Sequence, residues 1–387
     1  MARDLNIEAK LIENPTDSAQ YQVYADFLLS KGDPRGELIS LQQAGKHAEA
    51  SALLDKHADV FLGPLKDFRV TFDGTEEDAF AWRSGFIRSA TLSLDVNTVG
   101  DVETETPEAE ITLEAGLGAL LDHPSGALLE QLTIPINMLD DGGYFAPALA
   151  PLLQKGCPSL RSLRIGRFSC CGGPGGEGDY EYEISWTGVG DLGGLWKAVP
   201  RLESLVIQSG LGGSSASGEP DALGTIVHDK LKSFRVITGG LSAGCARSIA
   251  QARLPALETL EVWFGDPNYG GDTTIDDLAP LFEGQGFPKL KHLALNNAPF
   301  ENELARALIT APITRQLESL SLRYGTLDDT GAAHLLLLPN AKQLTVDVRD
   351  SYLSPAMIER LQAGVKKLES HPQQEQRGDR RYVSLSE

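Results

Sequence analysis

Leu257-x-x-Leu260-x-Val262, Leu290-x-x-Leu293-x-Leu295 and Leu317-x-x-Leu320-x-Leu322 are three copies of one short string. Side chains two residues apart share a face of an extended chain, so each copy predicts a short strand with its last two apolar residues on one side. Working outward, the string recurs upstream as Leu231-x-x-Phe234-x-Val236, Leu202-x-x-Leu205-x-Ile207, Leu160-x-x-Leu163-x-Ile165 and Leu129-x-x-Leu132-x-Ile134. A degenerate first copy is Ile87-x-x-Ala90-x-Leu92, and a weaker last copy is Ala341-x-x-Leu344-x-Val346. Helices are expected between strands, over Phe145 to Leu153, Leu278 to Phe282, Glu303 to Ile309, Ala332 to Leu338 and Pro355 to Leu368. Pro158, Pro200, Pro255, Pro288 and Pro339 stand just before strands, where they end the preceding helix. One strand with one arm cannot bury its own apolar face, so neighbouring copies must stack to make a core.

Successive copies start 24 to 42 residues apart, in or near the spacing of about 20–29 that marks one repeat family, with insertions in the longer ones. Over residues 85–370 the array resembles the leucine-rich repeat family. That resemblance implies an α/β solenoid with a parallel sheet on the concave face and helices on the convex face. The family's usual Asn or Cys, three positions after the third leucine, is matched here by Asn137 alone. Gly210, Gly239, Gly265, Gly325, Phe168 and Ala298 hold that slot elsewhere, so other groups or water must satisfy the backbone at the bends. The paired carboxylates Asp140-Asp141, Asp276-Asp277 and Asp328-Asp329 recur before helices and read as N-caps, not as a metal site or acid–base pair.

Residues 1–66 predict a small all-α domain. Asn14-Pro15-Thr16-Asp17 starts a helix whose Tyr21, Tyr24, Ala25, Phe27 and Leu28 form one apolar stripe. Lys31-Gly32-Asp33-Pro34-Arg35-Gly36 stops it and turns the chain into the next helix. The strings Tyr24-Ala25-Asp26-Phe27-Leu28, Gly32 to Ile39 and Leu41-Gln42, with Phe61 to Leu65 and Trp82 to Ile87, resemble a short bacterial repeat-companion domain. The likeness covers about residues 8–90 and implies a companion to repeats, without a known chemistry. Asp33, Arg35 and Glu37 read as a structural lock and not as a catalytic cluster. The domain organisation expected is 1–66 helical, 67–370 repeat array with a capping segment, and 371–387 a polar tail, taken as a loosely ordered end.

Composition narrows the function. Of the 387 residues, 34 are Lys or Arg and 54 are Asp or Glu, a formal charge of −20, and 40 are glycine. From Ser89 to Gln154 there is no Lys or Arg against 11 acids. Phosphate binding needs clustered Lys and Arg, so neither nucleic acid nor an anionic membrane is the expected partner. The absence of a run of about 18 apolar residues or of a leader-like start predicts a cytoplasmic protein without a membrane span. Cys157, Cys170, Cys171 and Cys245 show no paired C-x-x-C spacing, and no metal or cofactor is expected.

The residue after the first leucine alternates in sign: Glu130, Arg161, Glu203, Lys232, Glu258, Lys291, Glu318, Lys342. With strands about 4.8 Å apart this column predicts a ladder of ion pairs that favours the correct register. The next outward column, Gln131, Ser162, Ser204, Ser233, Thr259, His292, Ser319 and Gln343, is small and polar. Nearer the strand ends stand Arg167 and Asn297, and with them Arg164, Arg235, Glu261, Trp263, Phe264, Asn296, Arg323 and Tyr324. Exposed Arg and aromatic residues together suit a protein or peptide partner, and the latter eight are the expected binding residues. The glycine-rich stretches 170–178 and 212–218 have no following Gly-Lys-Ser/Thr and read as surface loops, not phosphate cradles. The expected function is a non-enzymatic interaction module or scaffold. Alternatives are a regulator of a partner enzyme such as a small GTPase, and an enzyme using Cys171 or His292.

Overall fold

The computed structural model describes residues 1–66, 70–72, 75–77, 79–92, 113–134, 146–166, 184, 188–211, 222–376, 378 and 380–386. Asn137, Asp140-Asp141, Arg167, Phe168, Cys170-Cys171, both glycine-rich stretches and the acids between Asp95 and Glu110 lie outside the described residues. Helices α1 to α5 (Leu5–Glu13, Ser18–Ser30, Arg35–Gln43, His47–Lys56, Ala58–Leu62) come first. Strands β1 to β4 (Val70–Phe72, Thr75–Glu77, Phe80–Arg83, Phe86–Thr91) follow. Then come α6 (Leu113–Asp122), β5 (Gln131–Ile134), α7 (Ala146–Lys155), β6 (Ser162–Ile165), α8 (Leu195–Ala198), β7 (Ser204–Gln208) and β8 (Ser233–Ile237). The remainder is α9 (Ala243–Ala250), β9 (Thr259–Trp263), α10 (Ala279–Glu283), β10 (His292–Asn296), α11 (Glu301–Leu308), β11 (Ser319–Ser321), α12 (Asp329–Leu335), β12 (Thr345–Asp347), α13 (Pro355–Gly364) and β13 (Lys367–Glu369). The architecture is therefore α/β, with a helical N-terminal region ahead of parallel strands. The chain forms two compact units, Met1–Asp140 with Ala146–Arg164 and Lys197–Leu202, and Asp141–Phe145 with Ile165–Trp196 and Glu203–Glu387.

In the first unit, helices and first strands share one core. Leu11, Tyr21, Tyr24, Ala25, Leu28 and Ile39 pack with Phe86 of β4 and with Leu128. β3 and β4 are antiparallel, joined through Ser84 (φ 48°) and Gly85 (φ 80°), the pair of positive φ values that a tight twisted hairpin requires. The turn at Lys31 to Gly36 is a lock. Asp33 and Arg35 are both buried and paired at 2.8 Å. Arg35 also donates to the carbonyls of Pro124, at 2.9 Å, and Ala2, while Asp33 accepts from the Ala2 N–H at 2.9 Å. Burial alone raises the Asp33 carboxyl, but the hydrogen bonds and charge of Arg35 hold it below the usual range. Glu37 is exposed and takes no part in the pair. A methyl on Gly36 would come within 2.6 Å of the Ala25 carbonyl, so glycine lets α3 lie against α2. Arg88 is buried over the Tyr21 ring at 5.2 Å, with Glu130 at 3.1 Å, and burial pushes its guanidinium down to about 10. Glu130 thus serves β4 and, through Arg83 at 2.8 Å, β3.

In the second unit β7 to β13 are parallel in sequence order. Leu205, Phe234, Leu260, Leu293 and Leu320 are direct cross-strand partners, and all are buried. The expected last copy is out of phase by two residues: Leu320 pairs with Val346, not with Leu344. A slip of two keeps every inward residue inward, so the apolar pattern is blind to it. The charge ladder accordingly ends at Glu318, and Lys342 turns to the Ala363 carbonyl at 2.6 Å. Upstream, Lys232–Glu203 at 2.6 Å and Lys291–Glu318 at 3.1 Å are formed. Thr345, not Gln343, follows Ser319 in the small polar column.

The bends are satisfied by backbone and by unexpected side chains. Gly265 donates to the Asn297 carbonyl at 2.9 Å and Asn297 to the Arg323 carbonyl at 2.8 Å. Thr273 and Ser351 hydroxyls cover the carbonyls of Leu241 and Leu322, at 2.8 and 3.3 Å. Glu301, the first residue of α11, is fully buried, and its carboxyl accepts from the N–H groups of Leu327 at 2.9 Å and Ala298 at 3.5 Å. A side chain at Gly325 would meet that carboxyl at 2.1 Å. Of the expected Asp caps, Asp328 caps α12 through the N–H groups of Thr330 and Gly331. Asp277 instead reaches back to the Thr274 N–H as the third residue of a capping box, and Asp329 accepts from Ser354.

Two stability predictions follow from buried charge. Arg35→Leu leaves the Asp33 carboxylate buried without its partner and is expected to cost about 3–5 kcal/mol, read by urea unfolding. Burial pushes the Glu301 carboxyl up to about 8 from 4.5. The folded chain therefore holds a proton that the unfolded chain releases, so the contribution of this group is full below pH 4.5 and falls as pH rises toward about 8. Glu301→Gln is expected to remove that fall and to exceed the native chain in stability at pH 8. Urea midpoints at a series of pH values compare the two slopes.

Candidate functional site

The outward face of β8 to β12 carries a row fixed by strand register: Arg235, Glu261, Ala294, Ser321 and Asp347 are successive cross-strand partners. Two acids thus stand either side of two short side chains. Arg323, two residues beyond Ser321, fills that gap. Its terminal nitrogens lie 3.7 Å from Glu261 and 3.6 Å from Asp347, beyond hydrogen-bond length. Its Nε is buried without a hydrogen-bond partner among the described residues. The guanidinium is held by charge, yet its donors are little used.

Glu261 is the hub, and it is 8% exposed. One carboxylate oxygen accepts from Arg235 Nε at 2.7 Å. The other accepts from Trp263 Nε1 at 2.8 Å and from Asn296 Nδ2 at 3.2 Å. Asn296 is buried, and its amide oxygen takes the Ser321 hydroxyl at 2.8 Å and the Arg323 N–H at 3.3 Å. Asn296 therefore positions its neighbours and is not itself a contact residue. Asp347 is gripped by Arg349 through two hydrogen bonds at 3.0 and 2.8 Å, which raise the Arg349 guanidinium further.

Trp263 and Tyr324 are half-buried and stack with ring centroids 4.9 Å apart and planes at 29°. The Arg323 guanidinium lies 4.7 Å over the Tyr324 ring. Tyr324 reaches this place because its backbone is left-handed, at φ 68°. Such a conformation is unfavourable for a side chain as large as tyrosine.

The structure brings together Arg235, Glu261, Trp263, Asn296, Arg323 and Tyr324 of the expected residues. Phe264 is corrected: it is buried and packs against Phe300 at 5.2 Å, because alternation from Trp263 turns it inward. Arg164 lies half-buried on β6 in the first unit. Asp347 and Arg349 belong to the same cluster, and the sequence reading missed them. The misphased last repeat hid them. His292 is exposed, with Nδ1 2.9 Å from the Ser319 hydroxyl. Cys157 is buried, and burial pushes its thiol up, away from the reactive thiolate. Among the described residues no group of three His, Cys, Asp or Glu side chains is placed to hold a metal. None of their helices is long and apolar enough to cross a membrane.

No family model matches the chain. No curated protein matches it either. Among solved structures, a structural-genomics protein from Bacteroides fragilis is similar, with 24% identity and a TM-score of 0.57 over 76% of this chain and 80% of that one. The complex of TLR13 with ssRNA13 aligns at 15% identity and a TM-score of 0.36, over 74% of this chain and 33% of that one. The Bacteroides protein shares the α/β fold described above.

Proposed function

We propose that this chain is a non-enzymatic, cytoplasmic leucine-rich repeat protein of the bacterial repeat-companion type. In this reading the face around Glu261 binds a protein or peptide partner. Support for the repeat reading comes from the leucine strings, whose copies from Leu202 to Leu322 fall on successive parallel strands with their apolar residues buried. The helices of residues 1–66 belong with it as the companion that packs on the first strands.

The observation that carries the binding reading is Arg323. It is fixed over Tyr324 and between two carboxylates, with side-chain donors that no neighbour among the described residues uses at hydrogen-bond distance. A carbonyl or carboxylate of a partner satisfies those donors, and the Trp263–Tyr324 stack beside them offers apolar area for the adjoining side chain. Trp, Tyr and Arg are the residue types in which binding energy concentrates. The row holds Arg235, Arg323 and Arg349 against Glu261, Asp347 and, on the next strand, Glu369, so the guanidinium groups stand among acids.

Affinity capture from a lysate of the source organism tests this reading. Trp263→Ala, Arg323→Ala and Tyr324→Ala are each expected to weaken a captured partner by about 2 kcal/mol, roughly thirtyfold, in chains that remain folded by circular dichroism. A partner held equally by the native chain and the triple variant places binding elsewhere.

A further inference from the structure

Residues 380–386, expected as a loose end, lie instead along the bends that follow the strands of the second unit. Tyr382 exchanges two hydrogen bonds with the Tyr352 hydroxyl, its N–H donating and its carbonyl accepting, both at 3.0 Å. The Ser384 N–H donates to the Tyr324 carbonyl at 2.8 Å. Asn297 then grips the segment with its whole amide. Its Oδ1 accepts from the N–H groups of Ser384 and Leu385 at 2.9 and 3.0 Å, and its Nδ2 donates to the Leu385 carbonyl at 2.6 Å. The Ser386 carbonyl passes so close to Gly239 that an added methyl would sit 2.3 Å away. Arg381 fixes the start of the segment by pairing with Asp328.

Nearly all of this is main-chain recognition. The contacts read N–H and C=O groups of Tyr382, Ser384 and Leu385, while the Tyr382 ring stays half exposed. Asn297 is fully buried, held at φ 55°, and every hydrogen bond described for its side chain goes to this one segment. An amide built this way loses every hydrogen bond described for its side chain when the segment departs, and another extended main chain is the ligand that matches it.

We propose that Asn297, the Tyr324 carbonyl, Tyr352 and Asp328 form a receptor for an extended peptide with a basic residue four positions before its clamped residue, and that residues 380–386 occupy it as an intramolecular ligand. This goes beyond the sheet-face reading above, because the receptor lies on the bend edge and does not use Arg323 or Trp263. Tethering keeps the chain's own segment at high effective concentration, so a competing peptide enters only when that segment is released.

The test keeps the full chain and alters only the ligand side. Ser384→Pro with Leu385→Pro removes both N–H groups that Asn297 reads and leaves the receptor intact. A fluorescent peptide Arg-Arg-Tyr-Val-Ser-Leu-Ser, the sequence of residues 380–386, is titrated by anisotropy. Saturable binding is expected to the double-proline chain and at least about tenfold weaker binding to the native chain. Adding Asn297→Ala to the double-proline chain is expected to lower affinity by about tenfold or more. Adding Arg323→Ala is expected to leave it unchanged, which separates this site from the sheet-face site. Hydrogen exchange of the native chain is expected to show the Ser384 and Leu385 amides protected, with the protection lost in Asn297→Ala. Equal peptide binding by native and double-proline chains overturns the proposal, as does no binding by the double-proline chain.

Discussion

One repeated hydrogen-bond arrangement sets the second unit. The carbonyl of each ladder residue accepts two N–H groups from the next strand: Glu203 from Lys232 and Ser233, Lys232 from Glu258 and Thr259, Glu258 from Lys291 and His292, Lys291 from Glu318 and Ser319. Four successive copies leave one register open. A shift by a single residue breaks these bonds and also turns the leucines to solvent. The alternating charges reinforce the same choice at modest energy, because exposed pairs contribute only about 0–1 kcal/mol each. Backbone pairing and apolar burial therefore dominate, and the charges penalise wrong neighbours.

The candidate face inherits its geometry from that register. Because Arg235, Glu261, Ala294, Ser321 and Asp347 must fall in one row, the two short side chains open a gap between two acids. Arg323 enters that gap, and Glu261 cannot swing to meet it because Arg235, Trp263 and Asn296 already hold its oxygens. The polar network is thus rigid around its acids and least satisfied at one guanidinium. Partial satisfaction at one point in an otherwise closed network is the observation on which the proposed binding role rests.

The parts of this that were legible in the sequence are those governed by a short period. Leu202 through Leu322 announced strands because inward residues recur every second position, and the same rule placed Arg235, Glu261, Trp263 and Arg323 on the outer side. Applied strictly, it also turns Phe264 inward. The final repeat was misread because a two-residue slip changes no inward residue, and that error concealed Asp347 and Arg349. Glu301 was not legible: an acid at the first turn of a helix ordinarily serves the helix dipole at the surface, and its burial depends on Gly325, in the next repeat. The Asn297 clamp was still less so, since its partner lies 88 residues away in sequence and is recognised through main-chain atoms that carry no residue identity.

Backbone conformation ties the two candidate sites together. Gly265 turns the chain after β9 at positive φ, where glycine costs nothing, but the following bends place Asn297, Tyr324 and Asp350 in the same left-handed region. Each such non-glycine residue carries a penalty of about 1–2 kcal/mol. The penalty persists where the side chain or its backbone does something glycine cannot. Asn297 spends its amide on Leu385 and Ser384, and Tyr324 stacks on Trp263 while its carbonyl holds Ser384. Asp350 gives its N–H to the Pro372 carbonyl at 2.8 Å, a bond glycine would also make, and its carboxyl lies in the field of Arg349 and Arg323. Strain is thus offset at the two bends that face a ligand-like segment or an aromatic platform. Tyr324 belongs to both, with its ring on the sheet face and its carbonyl on the bend edge. The Ser384 N–H meets the backbone of the same residue whose ring lies under Arg323, so one left-handed position serves two directions at once, which glycine there could not do.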